Sequence, residues 1–140
     1  MRKTLPFLAI FMIFAGFSCK KAIEKQAENA IIQAMTTGHW YVEQYTENTI
    51  DVTGDFFGYE FQFYQNGSVD GLQGTTVKSS GTWSADINSY SITSAFPLAA
   101  GDTLTRLNYT WKITDSYVDY VVANTTTANG QNVLHLRKKP

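Results

Sequence analysis

The clearest indication of the fold is the segment Phe57-Gly-Tyr-Glu-Phe-Gln-Phe-Tyr-Gln-Asn-Gly67. Every second residue is aromatic, and these aromatic side chains are predicted to share one face of a strand: Phe57, Tyr59, Phe61 and Phe63. Glu60 and Gln62 take the other face, which is typical of a half-buried strand. Asn66-Gly67 then favours a tight type I′ turn into a return strand that begins with Val69 and Leu72.

The same signals recur along the chain and predict about eight short strands in up-and-down order. The predicted strands are 40–46, 57–63, the return strand from 69, 81–86, 89–95, 104–113, 117–123 and 133–138. Turns are predicted at Asn88-Ser89, Asp115-Ser116 and Asn129-Gly130. Because short turns link these strands and no long helix intervenes, we expect an all-β antiparallel barrel that removes its own exposed edges. A β-sandwich is the alternative.

The N-terminus has the features of an export signal. Arg2 and Lys3 precede an apolar run of 13 residues, Leu5 to Phe17, which is shorter than the ~20 residues of a spanning helix. The run ends at Cys19, the chain's single cysteine, which has no partner for an internal disulfide. We therefore predict a signal peptide over residues 1–18 and a lipid attached to Cys19. Cleavage elsewhere, which would leave a free thiol, is the alternative.

The segment Phe14-Ala-Gly-Phe-Ser-Cys19 resembles the lipobox of bacterial lipoproteins, in which small residues precede the acylated cysteine. Ser18 matches that pattern, whereas Gly16 and Phe17 replace the usual Leu and small residue. A diacylglyceryl group would anchor the chain stably, since one acyl chain alone holds only marginally. Lys20 and Lys21 follow the cysteine, and neither resembles the Asp that retains such proteins at the inner membrane. The expected location is the cell envelope, at the outer membrane.

Residues 19–37 are predicted to form a helical tether between the lipid and the barrel. Apolar residues recur at helical spacing from Ala22 to Met35, and Thr36, Thr37 and Gly38 end the pattern. The apolar stripe could lie on the membrane or plug one end of the barrel. It could also be a spacer docked on the domain.

The composition of the mature chain suits a single β domain, residues 38–140. Without Arg2 and Lys3, 9 Lys and Arg face 12 Asp and Glu, so the net charge is about −3, which gives no electrostatic case for a nucleic-acid partner. All eight Tyr and all three Trp remain, and aromatic residues suit pleated, half-buried strands.

The order of motifs resembles the lipocalin-like domain of small exported bacterial lipoproteins. Gly38-His39-Trp40, directly after a helical segment, is similar to the Gly-x-Trp motif that opens the lipocalin barrel. The resemblance implies that Trp40 closes one barrel end and that a late arginine, Arg137, packs across it. Thr114-Asp-Ser-Tyr117 is similar to the family's Thr-Asp-Tyr turn, with Ser116 inserted. The likeness covers most of residues 38–139 and implies a barrel with a ligand-carrying role.

Catalytic and metal-binding chemistry has little support in the sequence. A nucleophilic triad needs a nucleophile, a base and an orienting group, but the only cysteine is predicted to be acylated. His39 and His135 lie on the terminal strands and would be neighbours if those strands pair, but two imidazoles fall short of the ligands that zinc prefers. The scattered carboxylates are interpreted as solvated charge: Glu43, Glu47, Asp51, Asp55 and Glu60. We expect no enzyme activity, no metal and no cofactor.

The barrel interior is the remaining candidate site. Eight strands leave room for packed side chains or for one small ligand. The residues predicted to point inward and to contact a ligand are aromatic: Tyr59, Phe61, Phe63, Trp83, Tyr109 and Trp111. The leading hypothesis is a non-enzymatic lipoprotein that binds a small hydrophobic or amphipathic molecule. The alternative is a solid-core barrel that acts as an inhibitor or accessory subunit for an envelope protein, through the polar loops 71–80 and 124–132.

Overall fold

The structure is a computed structural model that describes the backbone of residues 11–140 and the side chains of residues 21–140. Most of the predicted signal peptide, and the side chain of Cys19, lie outside these residues. Among the described residues, no helix has both the length and the apolar character needed to cross a bilayer.

Within residues 11–140, one long helix leads into nine strands. The elements are α1 (Phe11–Thr36), β1 (Trp40–Glu47), β2 (Ile50–Asp51), β3 (Tyr59–Phe63), β4 (Ser68–Gln73), β5 (Thr76–Asp86), β6 (Ser91–Ala95), α2 (Asp102–Thr105), β7 (Thr110–Tyr117), β8 (Tyr120–Thr127) and β9 (Gly130–Lys138). A 3₁₀ turn, Thr53–Phe56, lies between β2 and β3, and a second, Leu98–Ala100, precedes α2.

Eight antiparallel strands form a closed barrel, as the sequence predicts. β1 pairs with β3, each following strand pairs with the next, and β9 returns to β1 from Trp40 opposite Lys138 to Glu47 opposite Asn132. Strand β2 pairs only with the end of β1 and stands outside the ring. The pairing of the first and last strands excludes the β-sandwich alternative.

Two predicted boundaries are wrong for local reasons. The predicted strand 104–113 begins only at Thr110, because Leu104 and Leu107 have the three-residue spacing of a helical turn and both are buried. The predicted turn at Asp115-Ser116 lies within β7, and the chain reverses after Tyr117. A bulge between Ile113 and Asp115 shifts the alternation of side chains there, and the strand continues past the predicted turn.

Both ends of the barrel are covered. At one end, here called the helix end, the last turn of α1 inserts Met35 among the buried side chains of the core. At the other end, the mouth, the connection between β6 and β7 covers the interior with three buried residues, Phe96, Leu104 and Leu107. The tether helix therefore docks on the domain and contributes to closing one barrel end.

Candidate functional site

The barrel interior is nearly filled. The cavity at its centre has a volume of about 40 Å³ and an almost wholly apolar lining that includes Phe61, Phe63 and Trp111. Pockets that hold drug-sized ligands have volumes of roughly 300–1,000 Å³. The observed space is thus about an order of magnitude too small for a lipid-like molecule while both ends remain covered.

The indole nitrogens are already used within the protein. Trp40 donates to the Met35 carbonyl oxygen at 3.0 Å, Trp83 to that of Tyr64 at 2.8 Å and Trp111 to that of Leu107 at 3.1 Å. Because each indole N–H is a single donor, none of the three remains to orient a ligand in the interior. These contacts fix large side chains in a packed core.

Four of the six predicted ligand-binding residues lie inside the barrel, and two do not share that position. Phe61, Phe63, Trp83 and Trp111 are buried. Tyr59 is only half-buried, at the point where β1 and β3 separate. Tyr109 precedes β7 and is 36% exposed, and it packs edge-on against Trp111 with ring centroids 5.7 Å apart. Tyr109 therefore lies at the mouth of the barrel and not among the buried side chains of the interior.

Trp40 lies in the core at the helix end, and Arg137 does not pack across it. Trp40 is fully buried, and Gly38 has a φ of +75° that suits a glycine between helix and strand. Arg137 faces outward, where its Nε donates to the Glu43 carboxylate at 2.9 Å. The cation above the Trp40 ring belongs to Lys138, whose Nζ lies 5.0 Å from the ring centroid. Lys138 is the residue in register with Trp40, and its neighbour Arg137 points to the opposite face.

The two histidines are not neighbours, although the terminal strands do pair. His135 lies opposite Gln44, and His39 lies one residue before Trp40, which is opposite Lys138. From residue 21 onward, no group of three or more His, Cys, Asp or Glu side chains is close enough together to hold a metal ion.

The barrel wall opens between β1 and β3, and we call this opening the seam groove. These strands have a single pair of opposed residues, Trp40 and Phe61, whereas β1 pairs with β9 along its whole length. Beyond that pair the strands separate, and a groove of about 450 Å³ lies between Tyr41-Val42 of β1 and Tyr59-Glu60 of β3. Phe56, from the 3₁₀ turn, is buried beneath the groove and seals the interior by packing on Tyr45.

The rim of the seam groove carries an exposed aromatic ring and a small charged cluster. Phe57 is 90% exposed beside the groove, although its alternation with Tyr59 predicts an inward position. It faces outward because it belongs to the turn after the 3₁₀ segment and not to β3. The Glu60 carboxylate bonds to Lys139 Nζ and, at 2.8 Å, to His39 Nδ1. These bonds lower the pKa of Glu60, and the bond from Lys139 has the largest effect.

Sequence analysis missed the seam groove because its walls come from the register of two strands that are distant in the chain. One feature of the sequence did indicate it. The segment from Val52 to Gly58, which connects β2 to β3, contains Thr, Gly and Asp and is longer than a hairpin turn requires. The polar segments 71–80 and 124–132, proposed from the sequence as partner-binding loops, form the hairpins β4–β5 and β8–β9.

Comparison with known proteins supports the fold only. No family model matches the sequence, and no curated protein matches it. A crystal structure of a DUF4847 family protein from Bacteroides vulgatus has a similar fold, with a TM-score of 0.52 and 10% sequence identity. The alignment covers 79% of this chain and 99% of that protein. At this identity the likeness extends to the barrel architecture and carries no function to this chain.

Proposed function

We propose that this chain is a lipid-anchored protein of the bacterial envelope that acts by binding and not by catalysis. Its barrel is a lipocalin-like scaffold that binds an extended segment of another envelope protein at the seam groove. The observation that carries the proposal is the separation of β1 and β3 beyond Trp40 and Phe61, which leaves two short stretches of strand edge facing a groove in an otherwise closed barrel. On β1 this stretch covers residues 41–44, because from Tyr45 onward the same edge bonds to residues 50–53.

Unpaired strand edges favour an extended polypeptide as the partner. An added strand gains main-chain hydrogen bonds from the exposed edges, and side-chain pockets beside the edge supply specificity. Phe57 offers an exposed ring for an apolar side chain of the partner. Lys139, which is half-exposed at the groove, and Glu60 offer charges of opposite sign for the partner's polar groups. The filled interior favours a surface site because it leaves too little volume for a ligand.

Site-specific photocrosslinking in the envelope tests this proposal. Phe57 is replaced by p-benzoylphenylalanine in the full chain, and Lys112, exposed on the outer face of β7, is replaced in the same way as a control. We expect a defined adduct from position 57 and none from position 112. The crosslinked segment is then synthesised as a peptide and titrated onto the protein. Phe57→Ala should weaken its binding about tenfold or more, the effect of losing a central aromatic contact.

Hydrogen exchange then distinguishes strand addition at the seam groove from non-specific binding of the peptide to the barrel surface. Binding of the peptide should protect backbone amides of residues 42–44 and 58–60, and a proline within the peptide should abolish that protection. Equal adducts from positions 57 and 112, or protection spread over the whole barrel, would contradict the proposed site.

In a second candidate function, the barrel binds a small apolar ligand in its interior. It is favoured by the apolar lining of the central cavity and by its cover at the mouth, a non-strand connection whose displacement would enlarge the space. Native mass spectrometry of the protein purified from a periplasm tests it. A bound mass of a few hundred daltons that is lost in Trp111→Ala supports a carrier. A clean apo mass that is unchanged by added lipids rejects it.

A further inference from the structure

We propose that a second cleft, at the mouth of the barrel, is a saccharide-binding site with Tyr109 as its stacking platform. This mouth cleft has a volume of about 710 Å³ and lies between the hairpin tips of β1–β2 and β8–β9. It is distinct from the seam groove because the two share no lining residue, although Val52 of the mouth cleft is next in sequence to Thr53 of the groove. The six residues that carry the proposal are Glu47, Asn48, Tyr109, Thr127, Asn129 and Asn132.

The walls of the mouth cleft are held in place by contacts between the two hairpins. The Asn48 backbone N–H donates to the Gln131 carbonyl oxygen at 3.0 Å. Gly130 has a φ of +134°, and the Asn48 amide oxygen occupies the space that a side chain at this glycine would need. The tips therefore form one preorganised surface, which lowers the entropic cost of binding.

The polar groups of the cleft can both donate and accept hydrogen bonds. The Asn132 side chain is only 5% exposed and lies against the Tyr45 hydroxyl, which itself donates to the Arg106 carbonyl oxygen at 2.8 Å. A carboxamide has four hydrogen-bonding positions, so contact with one hydroxyl leaves others for the cleft. Asn48 and Asn129 add two further amides at the rim.

The aromatic ring supplies the apolar part of the site. Tyr109 is 36% exposed while its edge-on contact with Trp111, at 5.7 Å and 87° between ring planes, restricts its orientation. A fixed and partly exposed ring beside several amides matches a sugar, which has an apolar C–H face and a rim of hydroxyl groups. Tyrosine and asparagine also combine low conformational entropy with adaptable hydrogen bonding at binding surfaces.

The charges of the cleft favour a neutral or amino sugar over an acidic one. Glu47 contributes a carboxylate, and the nearby cation, Arg106, is shared between Glu47 at 3.6 Å and Asp55. An acidic saccharide would therefore meet a negative charge without a free cation to compensate for it. The same lining also contains the apolar residues Ile50, Val52 and Ala128, which can contact the C–H face of a sugar.

The test measures binding of defined oligosaccharides to the full protein in lipid nanodiscs, without sugar-based detergents. The panel is chitotriose, cellotriose, maltotriose and xylotriose, with trigalacturonate as the acidic probe, and the readout is titration calorimetry. We expect at least one neutral or amino-sugar trimer to bind and trigalacturonate to bind more weakly. Tyr109→Ala should weaken that binding about tenfold, whereas Tyr109→Phe, which keeps the ring, should retain most of it.

Tyr120→Ala is the matched control, because Tyr120 lies on the outer wall near the helix end and should not change saccharide binding. Circular dichroism establishes that each variant remains folded. The proposal is overturned if no trimer binds, if trigalacturonate binds best, or if folded Tyr109→Ala binds as well as the unmodified protein.

Discussion

At the residue scale, the helix end depends on two side chains that satisfy the last carbonyl groups of α1. The final carbonyls of a helix have no partners within it and need donors from elsewhere. Trp40 Nε1 donates to the Met35 carbonyl oxygen at 3.0 Å, and Lys138 Nζ donates to that of Ala34 at 2.7 Å. Lys138 also lies above the Trp40 ring, so one cation stabilises both the C-terminus of α1 and the position of the Trp40 indole.

Replacement of Trp40 by phenylalanine should therefore destabilise the fold substantially. Trp40→Phe removes a buried donor, leaves the Met35 carbonyl oxygen unsatisfied and opens a small void. We expect a loss of about 2–4 kcal/mol in the free energy of unfolding, measured by urea denaturation. Tyr120→Phe, which removes only an exposed hydroxyl, should change it by less than about 0.5 kcal/mol. Equal effects of the two substitutions would mean that the indole bond does not hold the helix end.

At the element scale, the connection between β6 and β7 fits the mouth because one strand residue facing it has no side chain. A Cβ atom at Gly71 of β4 would lie 3.2 Å from both Leu104 methyl carbons. Leu104 is fully buried there and belongs to the hydrophobic core. The glycine is therefore a packing requirement of the cover and not a turn signal, since its φ is not positive.

A double-mutant cycle measures this fit. Gly71→Ala should destabilise the protein by about 1–3 kcal/mol through overpacking, and Leu104→Ala by about 2–5 kcal/mol through a cavity. In the double variant the new methyl group enters the space vacated by Leu104, so Gly71→Ala should cost much less in that background. Chemical denaturation of the four proteins gives the coupling energy. Strict additivity would show that Gly71 and Leu104 do not share this space.

How well each element could be predicted depends on whether its pattern is local. The strand over Phe61 and Phe63 and the turn at Asn66-Gly67 carry their own periodicity and turn chemistry, so the sequence identifies them. The cover formed by Leu104 and Leu107 follows a helical spacing within a segment otherwise rich in β-forming residues. The position of this cover also depends on Gly71, some thirty residues earlier, and a contact over that distance in sequence cannot be predicted from a local pattern.

At the scale of the whole molecule, barrel closure could be predicted but the candidate sites could not. Closure follows from the number of strands and their short connections. The seam groove exists because β1 and β3 diverge after a single opposed pair, and the mouth cleft because two hairpin tips lock together at Asn48 and Gly130. Both are outcomes of register between distant strands. Four of the aromatic residues predicted to bind a ligand, by contrast, belong to the hydrophobic core, where packing their rings together stabilises the fold: Phe61, Phe63, Trp83 and Trp111.

The charged cluster at the seam links three parts of the molecule, and it predicts how stability depends on pH. Glu60 of β3 bonds to Lys139, just after β9, and to His39, just before β1. These bonds lower the pKa of the Glu60 carboxyl in the folded protein, with Lys139 as the largest cause. The unfolded chain therefore takes up a proton on Glu60 at a higher pH than the folded chain does. The stabilisation is present above the unfolded pKa, roughly 4.3, and is lost as the pH falls through the lower folded value.

Glu60→Gln tests this dependence by removing the titrating group while keeping the shape of the side chain. We expect the variant to be less stable than the unmodified protein at pH 7 and the two to converge in acid, as measured by urea denaturation across a pH series. Lys139→Met should reduce the same pH-dependent difference, because it removes the main cause of the lowered pKa. Lys112→Met, on the outer face of β7, should leave it unchanged. Parallel stability curves for Glu60→Gln and the unmodified protein would show that the cluster does not hold β1, β3 and β9 together at the seam.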